Sequence, residues 1–264
     1  MNGSSTHLTF PGSQGTPLAA RLETPGADPT AYAVFTHCFT CSKDSHAAAR
    51  ISKALTAHGI AVLRFDFTGL GQSGGDFTGS TFTSDVEDLV RAADHLRDRY
   101  TAPSLLIGHS LGGAAALAAT HRIPEVRAVA TIGAPARPDH VVRQFADRTA
   151  EITRRGEADV DLAGRRFRIR QEFIDDLLAQ PQSMRIRTLQ AALLVMHSPA
   201  DRTVDVDNAR QIFETARHPK SYVTLPGADH LLNDRQDSEY AAAVLAAWAG
   251  RYTRTPNNAP HEQA

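Results

Sequence analysis

The chain has 264 residues, enough to bury a full hydrophobic core and near the upper end for one domain. Its 28 Lys and Arg residues balance its 29 Asp and Glu residues, and the net charge of −1 gives no sign of a nucleic-acid or anionic-membrane partner. No stretch reads as a signal peptide or membrane span, and two cysteines are too few for a secreted disulfide framework, so we expect a cytoplasmic protein.

Strand and helix patterns alternate along the first half of the chain. A predicted β-hairpin over residues 6–23 is followed by short apolar runs typical of buried strands, with helical patterns between them. This alternation favours right-handed crossovers and a mainly parallel sheet with helices on both faces. Strands are predicted at 31–36, 60–65, 103–107, 126–132, 191–196 and 222–225, and helices at 44–58, 84–100, 114–120, 207–217 and 238–252.

The alternation stops after residue 135 and resumes at residue 191. The more charged segment between predicts a helix at 139–149, a β-hairpin and a helix at 171–179. An insertion of this length is more typical of a lid over a site than of a structureless loop. The predicted α/β core consists of residues 1–135 and 191–252. The predicted lid is the insertion at residues 136–190, and the predicted flexible tail is residues 253–264.

Residues 108–112 read Gly-His-Ser-Leu-Gly, with a buried-strand pattern before them and an alanine-rich helical pattern after them. This context is that of a nucleophile elbow, a tight turn in which side chains at Gly108 and Gly112 would collide with neighbouring backbone. The strain of such a turn lifts the hydroxyl of Ser110 clear of the sheet edge, at the positive end of the following helix. Ser110 is therefore the predicted nucleophile.

Two later strand ends supply partners for this serine. A serine hydroxyl needs a base to take its proton, and the base needs an anionic partner to orient it. After a nucleophile elbow, the acid and then the histidine follow in chain order, each at the end of a strand. Asp201 follows the predicted strand 191–196, and His230 follows the predicted strand 222–225. We predict Ser110, Asp201 and His230 as a catalytic triad.

Other acids and another histidine compete for these roles. Asp205 and Asp207 lie at a predicted helix start, where N-capping accounts for them. Asp229 directly precedes His230, which leaves little chain for its carboxylate to reach under the imidazole. His218 precedes the last strand and therefore falls at the wrong edge of the sheet.

An acyl-transfer site also needs two preorganised donors for the oxyanion. The backbone N–H of Leu111, next after the nucleophile, is the first predicted donor. The second is the backbone N–H of Phe39, in the loop after the first parallel strand, and the Phe39 ring would wall an acyl pocket. His37, Cys38 and His109 are predicted near this pocket, in lining or structural roles.

The elbow, the two partner residues and the stretch Arg-Phe-Asp-Phe-Thr-Gly-Leu-Gly at 64–71 resemble the α/β-hydrolase superfamily of serine esterases, over essentially the whole chain. Residues 37–44, 133–135 and 156–176 resemble, more narrowly, the hydrolase half of bacterial proteins that often carry a C-terminal OsmC-like, hydroperoxide-reducing domain. The resemblance implies an α/β-hydrolase fold and hydrolysis of carboxylic esters with short acyl chains. The chain is then either a free-standing relative or one part of a two-domain protein.

The predicted chemistry needs no metal or organic cofactor, and the expected partner is a small-molecule ester. The same triad would serve a thioesterase, amidase, lactonase or perhydrolase. Outside enzymes, the alternative is a non-catalytic, hydrolase-like partner of a peroxide-reducing protein. A homodimer and a link to an OsmC-like domain also stay open as alternatives.

Cys38 and Cys41 flank the predicted oxyanion donor, where many members of the superfamily carry glycine. One hypothesis is a redox switch, in which oxidation distorts the Phe39 N–H and inactivates the enzyme. The preferred interpretation is that both are small, buried space-fillers, because no thioredoxin-like context frames the pair. A zinc site is less favoured, since the two cysteines and His37 lack a fourth ligand.

The glycine-rich loop at residues 69–75 superficially suggests a nucleotide site. It lacks the dinucleotide-binding register at a helix N-terminus and has no P-loop lysine, so turn formation explains its glycines. Asp66, directly before this loop, is predicted to fix it by hydrogen bonds rather than to take part in chemistry.

Overall fold

The computed structural model describes residues 3–162 and 164–253. In these two ranges, ten strands and eight α-helices alternate along most of the chain. The strands are β1 (Ser4–Pro11), β2 (Pro17–Thr24), β3 (Ala31–Thr36), β4 (Ile60–Phe65), β5 (Leu105–His109), β6 (Ala128–Ile132), β7 (Glu157–Leu162), β8 (Arg165–Arg170), β9 (Ala192–His197) and β10 (Lys220–Thr224). The helices are α1 (His46–Thr56), α2 (Phe82–Arg99), α3 (Leu111–Ala119), α4 (Thr149–Arg155), α5 (Gln171–Ala179), α6 (Gln182–Arg187), α7 (Asp207–Thr215) and α8 (Arg235–Thr253).

Eight of the strands in the described ranges form one sheet, in the order β1-β2-β4-β3-β5-β6-β9-β10. The pairs β1–β2 and β2–β4 are antiparallel, and the other five neighbouring pairs are parallel. The predicted mainly parallel sheet is confirmed. The predicted first hairpin is β1 with β2, and it extends the parallel sheet at one edge.

Both faces of the sheet are buried, as the uninterrupted apolar strands require. Side chains alternate between the faces, so Val34 of β3 joins one hydrophobic cluster while Phe35 joins the other. The first cluster includes Leu89 of α2 and the alanines of α3. The second includes Ile51 of α1 and Leu245 of α8. The sheet is therefore a middle layer between two layers of helices.

The strand order reverses beside β3, and this reversal creates a crevice. From β3 the chain crosses to β4 on one side, and from β4 it crosses back to β5 on the other side of β3. The loops that leave β3 and β5 therefore diverge, which opens a crevice at the carboxyl ends of the strands. Thr36 pairs with Gly108 at this edge, so the two loops begin next to each other.

The insertion (residues 136–190) differs from its prediction in two places. The predicted helix at 139–149 is a 3-10 run over Pro138–Arg148 that is bent at Phe145, and α4 follows it. The helix α6 was not predicted, because a six-residue helix is too short for a periodic apolar pattern to identify. The helix α6 starts after Pro181. This proline disfavours a helical conformation at the preceding residue, so Gln180 is extended and α5 ends there. The predicted hairpin is confirmed as β7 with β8.

The predicted tail starts one residue too early, because α8 continues to Thr253 and buries it. The remaining predicted tail, residues 254–264, lies outside the described residues. Among the helices in the described ranges, none combines the length and the apolar character that crossing a bilayer requires.

A buried network of charged side chains fixes the loop after β3. The carboxylate of Asp66 is fully buried and accepts hydrogen bonds from the backbone N–H and the Nζ of Lys43, at 2.6 and 2.9 Å. It also accepts the backbone N–H of Gln72, which confirms the predicted role of Asp66 in holding the glycine-rich loop. Arg64 donates to the carbonyl oxygen of Lys43 and to Glu23. The loop that leaves β3 is thus tied to β4 and to β2 through charged side chains.

Replacing Lys43 with Met would leave the buried Asp66 carboxylate without its cation. Because breaking a buried ion pair from one side costs about 3–5 kcal/mol, we expect the free energy of unfolding to fall by about that amount in urea titrations. Arg91 forms an exposed pair with Glu87 and provides the matched control. Arg91→Met should cost less than about 1 kcal/mol, and equal losses in the two variants would contradict the clamping role of Lys43.

Candidate active site

Ser110 occupies a strained turn between β5 and α3. Its backbone has φ 54° and ψ −126°, a conformation that L-residues rarely adopt and that clusters at functional sites. A Cβ on Gly108 would lie 2.3 Å from the carbonyl oxygen of Gly112, and a Cβ on Gly112 would lie 2.4 Å from that of His37. Both glycines are therefore required by close backbone approach. The backbone N–H of Ser110 donates to the carbonyl oxygen of Ile132, which ties the turn to the end of β6.

The three residues predicted as a triad form one hydrogen-bonded chain. The hydroxyl oxygen of Ser110 lies 3.0 Å from Nε2 of His230. The other ring nitrogen, Nδ1, lies 2.7 Å from Oδ2 of Asp201. Because the Asp201 carboxylate only accepts, Nδ1 carries the proton and Nε2 is left free to accept the hydroxyl hydrogen of Ser110. This is the tautomer that a general base needs.

Asp201 is held as a carboxylate by its own loop. Its second oxygen accepts the backbone N–H groups of Thr203 and Val204 at 2.8 and 2.9 Å. Burial by itself raises the pKa of Asp201, but the hydrogen bond from His230 and those from the backbone outweigh burial and lower it. Asp201 therefore keeps a negative charge against the imidazole of His230 at neutral pH.

The competing residues lie in other settings. Asp205 accepts the N–H of Asp207 and so caps the start of α7, and Asp207 pairs with Arg210. Asp229 accepts from the backbone and side chain of Asn233. His218 directly precedes β10, at the opposite end of that strand from the loop that carries His230. Neither the acids nor His218 reach the Ser110–His230 pair.

Two backbone N–H groups beside Ser110 are uncommitted. Within the described residues, the N–H groups of Phe39 and Leu111 donate no hydrogen bond to the protein. Leu111 is the first residue of α3, where the helix dipole favours negative charge. The close packing of Gly112 on the carbonyl oxygens of Thr36 and His37 brings the loop after β3 onto this helix end. The two free donors therefore lie on the adjacent segments predicted to form the oxyanion hole.

Cys38 and Cys41 form a disulfide, and the interpretation of unbonded space-fillers is wrong. The bond closes a four-residue loop that contains Phe39, with Thr40 at φ 60°. The Cys-x-x-Cys spacing raised a disulfide only within the redox-switch hypothesis. The missing thioredoxin-like context argues against a catalytic redox pair, but it does not argue against a disulfide that closes a local loop. The hypothesis that oxidation distorts the Phe39 N–H is not supported either, because that N–H is uncommitted in the bonded form.

His37 holds the same loop from inside. Its Nδ1–H donates to the carbonyl oxygen of Cys38 at 2.8 Å, and its Nε2 accepts the backbone N–H of Phe67 at 3.4 Å. Burial lowers the pKa of His37, so the ring is neutral and can serve one nitrogen as donor and the other as acceptor. Both ring nitrogens of His37 are thereby used within the protein.

His109 lies on the other side of the nucleophile and supports the loop of His230. Its Nε2–H donates to the carbonyl oxygen of His230 at 2.7 Å, and the two rings are 5.3 Å apart. Burial, followed by the nearby imidazole of His230, lowers the pKa of His109 to about 4. His109 is therefore neutral at physiological pH, and its hydrogen bond holds the backbone of His230 in place.

A narrow apolar slot adjoins the two free N–H groups, and it is called the acyl slot after the acyl pocket that the sequence predicts beside Phe39. Its free volume is about 10 Å³, the space of one water molecule. The residues that line it come from the loop after β3, the segment 67–77, α2 and α3. They are His37, Cys38, Phe39, Phe67, Leu70, Phe77, Asp85, Leu111, Gly112 and Ala115. His37 and Cys38 thus lie where the sequence predicted pocket residues, whereas His109 is not among them.

The insertion closes this region from outside. The Phe173 ring of α5 stacks on Phe39 with centroids 5.7 Å apart, and Phe167 of β8 meets Phe77 edge-on at 5.1 Å. Arg165 donates to the carbonyl oxygen of Thr40 at 3.5 Å. The insertion therefore contacts the loop that carries the Phe39 N–H through Phe173 and Arg165, and the neighbouring Phe77 through Phe167.

Two residues near the site were not identified from the sequence. Lys43 is one of them, because its partner Asp66 is 23 positions away in the chain and only the tertiary structure brings the two together. Asp85 was not identified either, because one carboxylate in the first turn of a predicted amphipathic helix is ordinary, and only the tertiary structure places it in the slot.

Comparison with known proteins gives relatives over most of the chain. The esterase domain of a Rhodothermus marinus protein superposes with a TM-score of 0.77 at 46% sequence identity, covering 95% of this chain and 99% of that one. A monoacylglycerol lipase from Mycolicibacterium smegmatis is 25% identical over 91% of this chain and 95% of its own length. The human mitochondrial palmitoyl-protein thioesterase ABHD10 is 35% identical over 38% of this chain, which corresponds to 31% of ABHD10.

The fold and the family follow from these matches together. Est1E from Butyrivibrio proteoclasticus, solved with ferulic acid, has a TM-score of 0.79 at 18% identity and supports the fold. The family sequence model of the alpha/beta hydrolase family matches residues 33–244, which run from β3 into α8. The α/β-hydrolase fold predicted from the sequence is confirmed, and the chain belongs to the alpha/beta hydrolase family.

Proposed function

We propose that this protein is a serine esterase that hydrolyses carboxylic esters of short acyl chains through an acyl-enzyme intermediate. One observation carries the proposal, the hydrogen-bonded chain from Ser110 through His230 to Asp201 beside two uncommitted backbone N–H groups. A structural role alone would not require a serine in strained backbone, a base and a buried carboxylate in that order.

In the proposed mechanism, Ser110 Oγ attacks the acyl carbon while His230 Nε2 takes the hydroxyl proton. Asp201 stabilises the imidazolium that forms, and the N–H groups of Phe39 and Leu111 bind the oxyanion of the tetrahedral intermediate. Collapse of the intermediate breaks the ester C–O bond, and His230 gives its proton to the leaving alcohol. Water then repeats the sequence on the acyl-enzyme and releases the acid.

The substrate class rests on the size of the acyl slot and on the relatives. A slot with room for about one water molecule suits a short acyl chain better than a fatty one. The relative with 46% identity over nearly the whole chain is described as an esterase domain. We propose that the insertion acts as a lid, since its Phe173 and Phe167 pack on Phe39 and Phe77, two residues that line the slot.

A thioesterase is the second candidate, favoured by the local match to palmitoyl-protein thioesterase ABHD10. The same triad cleaves either bond, so only substrates separate the two. The measurement is kcat/KM for an ester and for a thioester that carry the same acyl group. A higher value for the thioester would favour the thioesterase. A water-sized slot argues against a palmitoyl chain in the slot as it stands.

We also make proposals on the cofactor requirement, location, assembly and domain context of the protein. The proposed mechanism uses only side chains and backbone of this chain and calls for no cofactor. We keep the cytoplasm as the proposed location, a homodimer as one proposed assembly, and a link to an OsmC-like domain as the proposed context.

Replacing Ser110 with Ala removes the nucleophile. We expect kcat for a p-nitrophenyl acetate substrate to fall by about 10⁴–10⁶, because removal of a triad serine abolishes the acyl-enzyme route. Circular dichroism and the melting temperature should stay close to the parent values, since only one hydroxyl is lost. Turnover that survives in a folded Ser110→Ala variant would exclude Ser110 as the nucleophile.

Asp201→Asn tests the orientation of the base. The amide would favour the other tautomer of His230, so we expect kcat to fall by about 10⁴ while Ser110 stays in place. Asp205→Asn is the matched control and should keep kcat within about twofold, since Asp205 caps α7 and does not reach the site. Equal effects of the two changes would contradict the assignment of Asp201.

The disulfide provides a third test, because it closes the loop that carries one oxyanion donor. Full loss of an oxyanion donor costs about 10²–10³ in kcat, so loosening of the Phe39 loop on reduction should lower kcat by about tenfold. Thiol systems keep cytoplasmic cysteines reduced, which would make activity there depend on redox state. The measurement is ester turnover with and without a phosphine reductant.

The control for this test is the double variant Cys38→Ser with Cys41→Ser, which has no bond to reduce. It should match the reduced parent and should not respond to the reductant. Identical kcat values for the oxidised and reduced parent, with the thiols titrated, would show that the bond does not position Phe39.

A further inference from the structure

Asp85 is the one acidic side chain that lines the acyl slot. It lies in the first turn of α2 and shares the slot with Phe39 and Leu111, the proposed oxyanion-hole residues. The other walls are mainly aromatic and aliphatic. Asp85 is half-buried, and beside these walls an unpaired negative charge is unfavourable.

Within the described residues, the side chain of Asp85 makes no hydrogen bond or ion pair with the protein. The only other titratable lining residue, His37, already uses both ring nitrogens. Asp88, one turn along α2, is saturated by the backbone and hydroxyl of Thr68 and by the backbone of Ser13. Among the described residues, the carboxyl of Asp85 is thus left with unused hydrogen-bonding capacity, whereas that of its neighbour Asp88 is not.

The charges around Asp85 are also negative. Asp88 on its own helix and Asp176 on α5 are the charged groups that act on it, and Asp176 is itself engaged by Thr83. Burial, followed by the repulsion from Asp88 and then Asp176, raises the pKa of Asp85 well above its ordinary value. Both effects favour the neutral form of the carboxyl, in which its O–H is a hydrogen-bond donor.

We propose that Asp85 is a specificity-determining residue that donates a hydrogen bond to an oxygen atom carried on the acyl chain of the substrate. The preferred acyl group is then a short one that contains an ether, keto or hydroxyl oxygen, rather than plain hydrocarbon. This inference rests on the proposed esterase function, and it adds the chemistry of the acyl group to it. A buried polar group aligned with a substrate oxygen rejects the analogue that lacks the oxygen, because the protein group is then left unpaired.

The experiment compares pairs of esters with the same alcohol and isosteric acyl chains. Methoxyacetyl is matched with butanoyl, and 3-methoxypropanoyl with pentanoyl, so an ether oxygen replaces one methylene at two depths. Each kcat/KM is divided by the rate constant of that ester with hydroxide, which removes intrinsic reactivity. An ether oxygen only accepts, so a neutral carboxyl attracts it and an ionised one does not.

We expect the parent protein to prefer at least one ether ester by about tenfold, the factor that one net hydrogen bond supplies. Asp85→Leu should bring the ratio to about one for every pair, whereas Asp85→Asn should keep most of the preference through its amide N–H. Asp98→Leu, at an exposed position on the same helix, is the matched control and should keep the parent ratio. A parent ratio near one, or a ratio that Asp85→Leu leaves unchanged, would overturn the proposal.

A stability measurement tests the unpaired carboxyl without turnover. Because the folded protein holds the pKa of Asp85 above its unfolded value, stability from this group is present at low pH and lost as the pH rises above about 4. Asp85→Asn should therefore gain melting temperature relative to the parent between pH 4 and pH 7, and Asp98→Asn should not. A relative loss would mean that Asp85 has a partner, and would overturn its proposed role.

The two kinds of failure are distinguishable. If no ester is hydrolysed and Ser110→Ala changes nothing, the proposed function fails and the acyl-chain proposal fails with it. If the esters are hydrolysed in a Ser110-dependent manner and the ratios ignore Asp85, only the inference about Asp85 fails.

Discussion

The hydrogen bond between Ser110 and His230 is the interaction on which the rest of the site depends. Its two residues are 120 positions apart in the chain, and the parallel sheet brings them to one edge. Ser110 follows β5, Asp201 follows β9 and His230 follows β10, so each comes from the carboxyl end of a different strand. The strained backbone at Ser110 is tolerated because β6 and α3 hold the turn from both sides.

The loop after β3 is fixed by three independent means. Lys43 is clamped to the buried Asp66, His37 bridges Cys38 and Phe67, and the disulfide closes the four residues around Phe39. This redundancy has a physical reason. An oxyanion donor stabilises a transition state only if it is already in place, since reorganisation at the moment of reaction would cancel its benefit. The proposed nucleophile is placed by one tight turn, whereas the loop proposed to carry the oxyanion donor has no regular structure of its own and depends on several contacts.

Much of the fold and the candidate triad could be predicted from the sequence, because they obey local and ordered rules. Apolar runs locate the buried strands, Gly108 and Gly112 mark the elbow, and the order of Asp201 and His230 after strands identifies them. The disulfide was not predicted, because Cys-x-x-Cys also suits unbonded cysteines. Asp85 and α6 were missed because their roles arise from tertiary contacts, and neither a single acid nor a six-residue helix leaves a periodic signal.

The proposed mechanism depends first on Ser110 being an activated nucleophile. Its most direct test is to treat the folded protein with a fluorophosphonate, which reacts with activated serines, and to map the adduct by peptide mass spectrometry. We expect a single adduct on the peptide that contains Ser110, with labelling slowed sharply when His230 is replaced by Ala. An unlabelled protein, or an adduct on another serine, would contradict it.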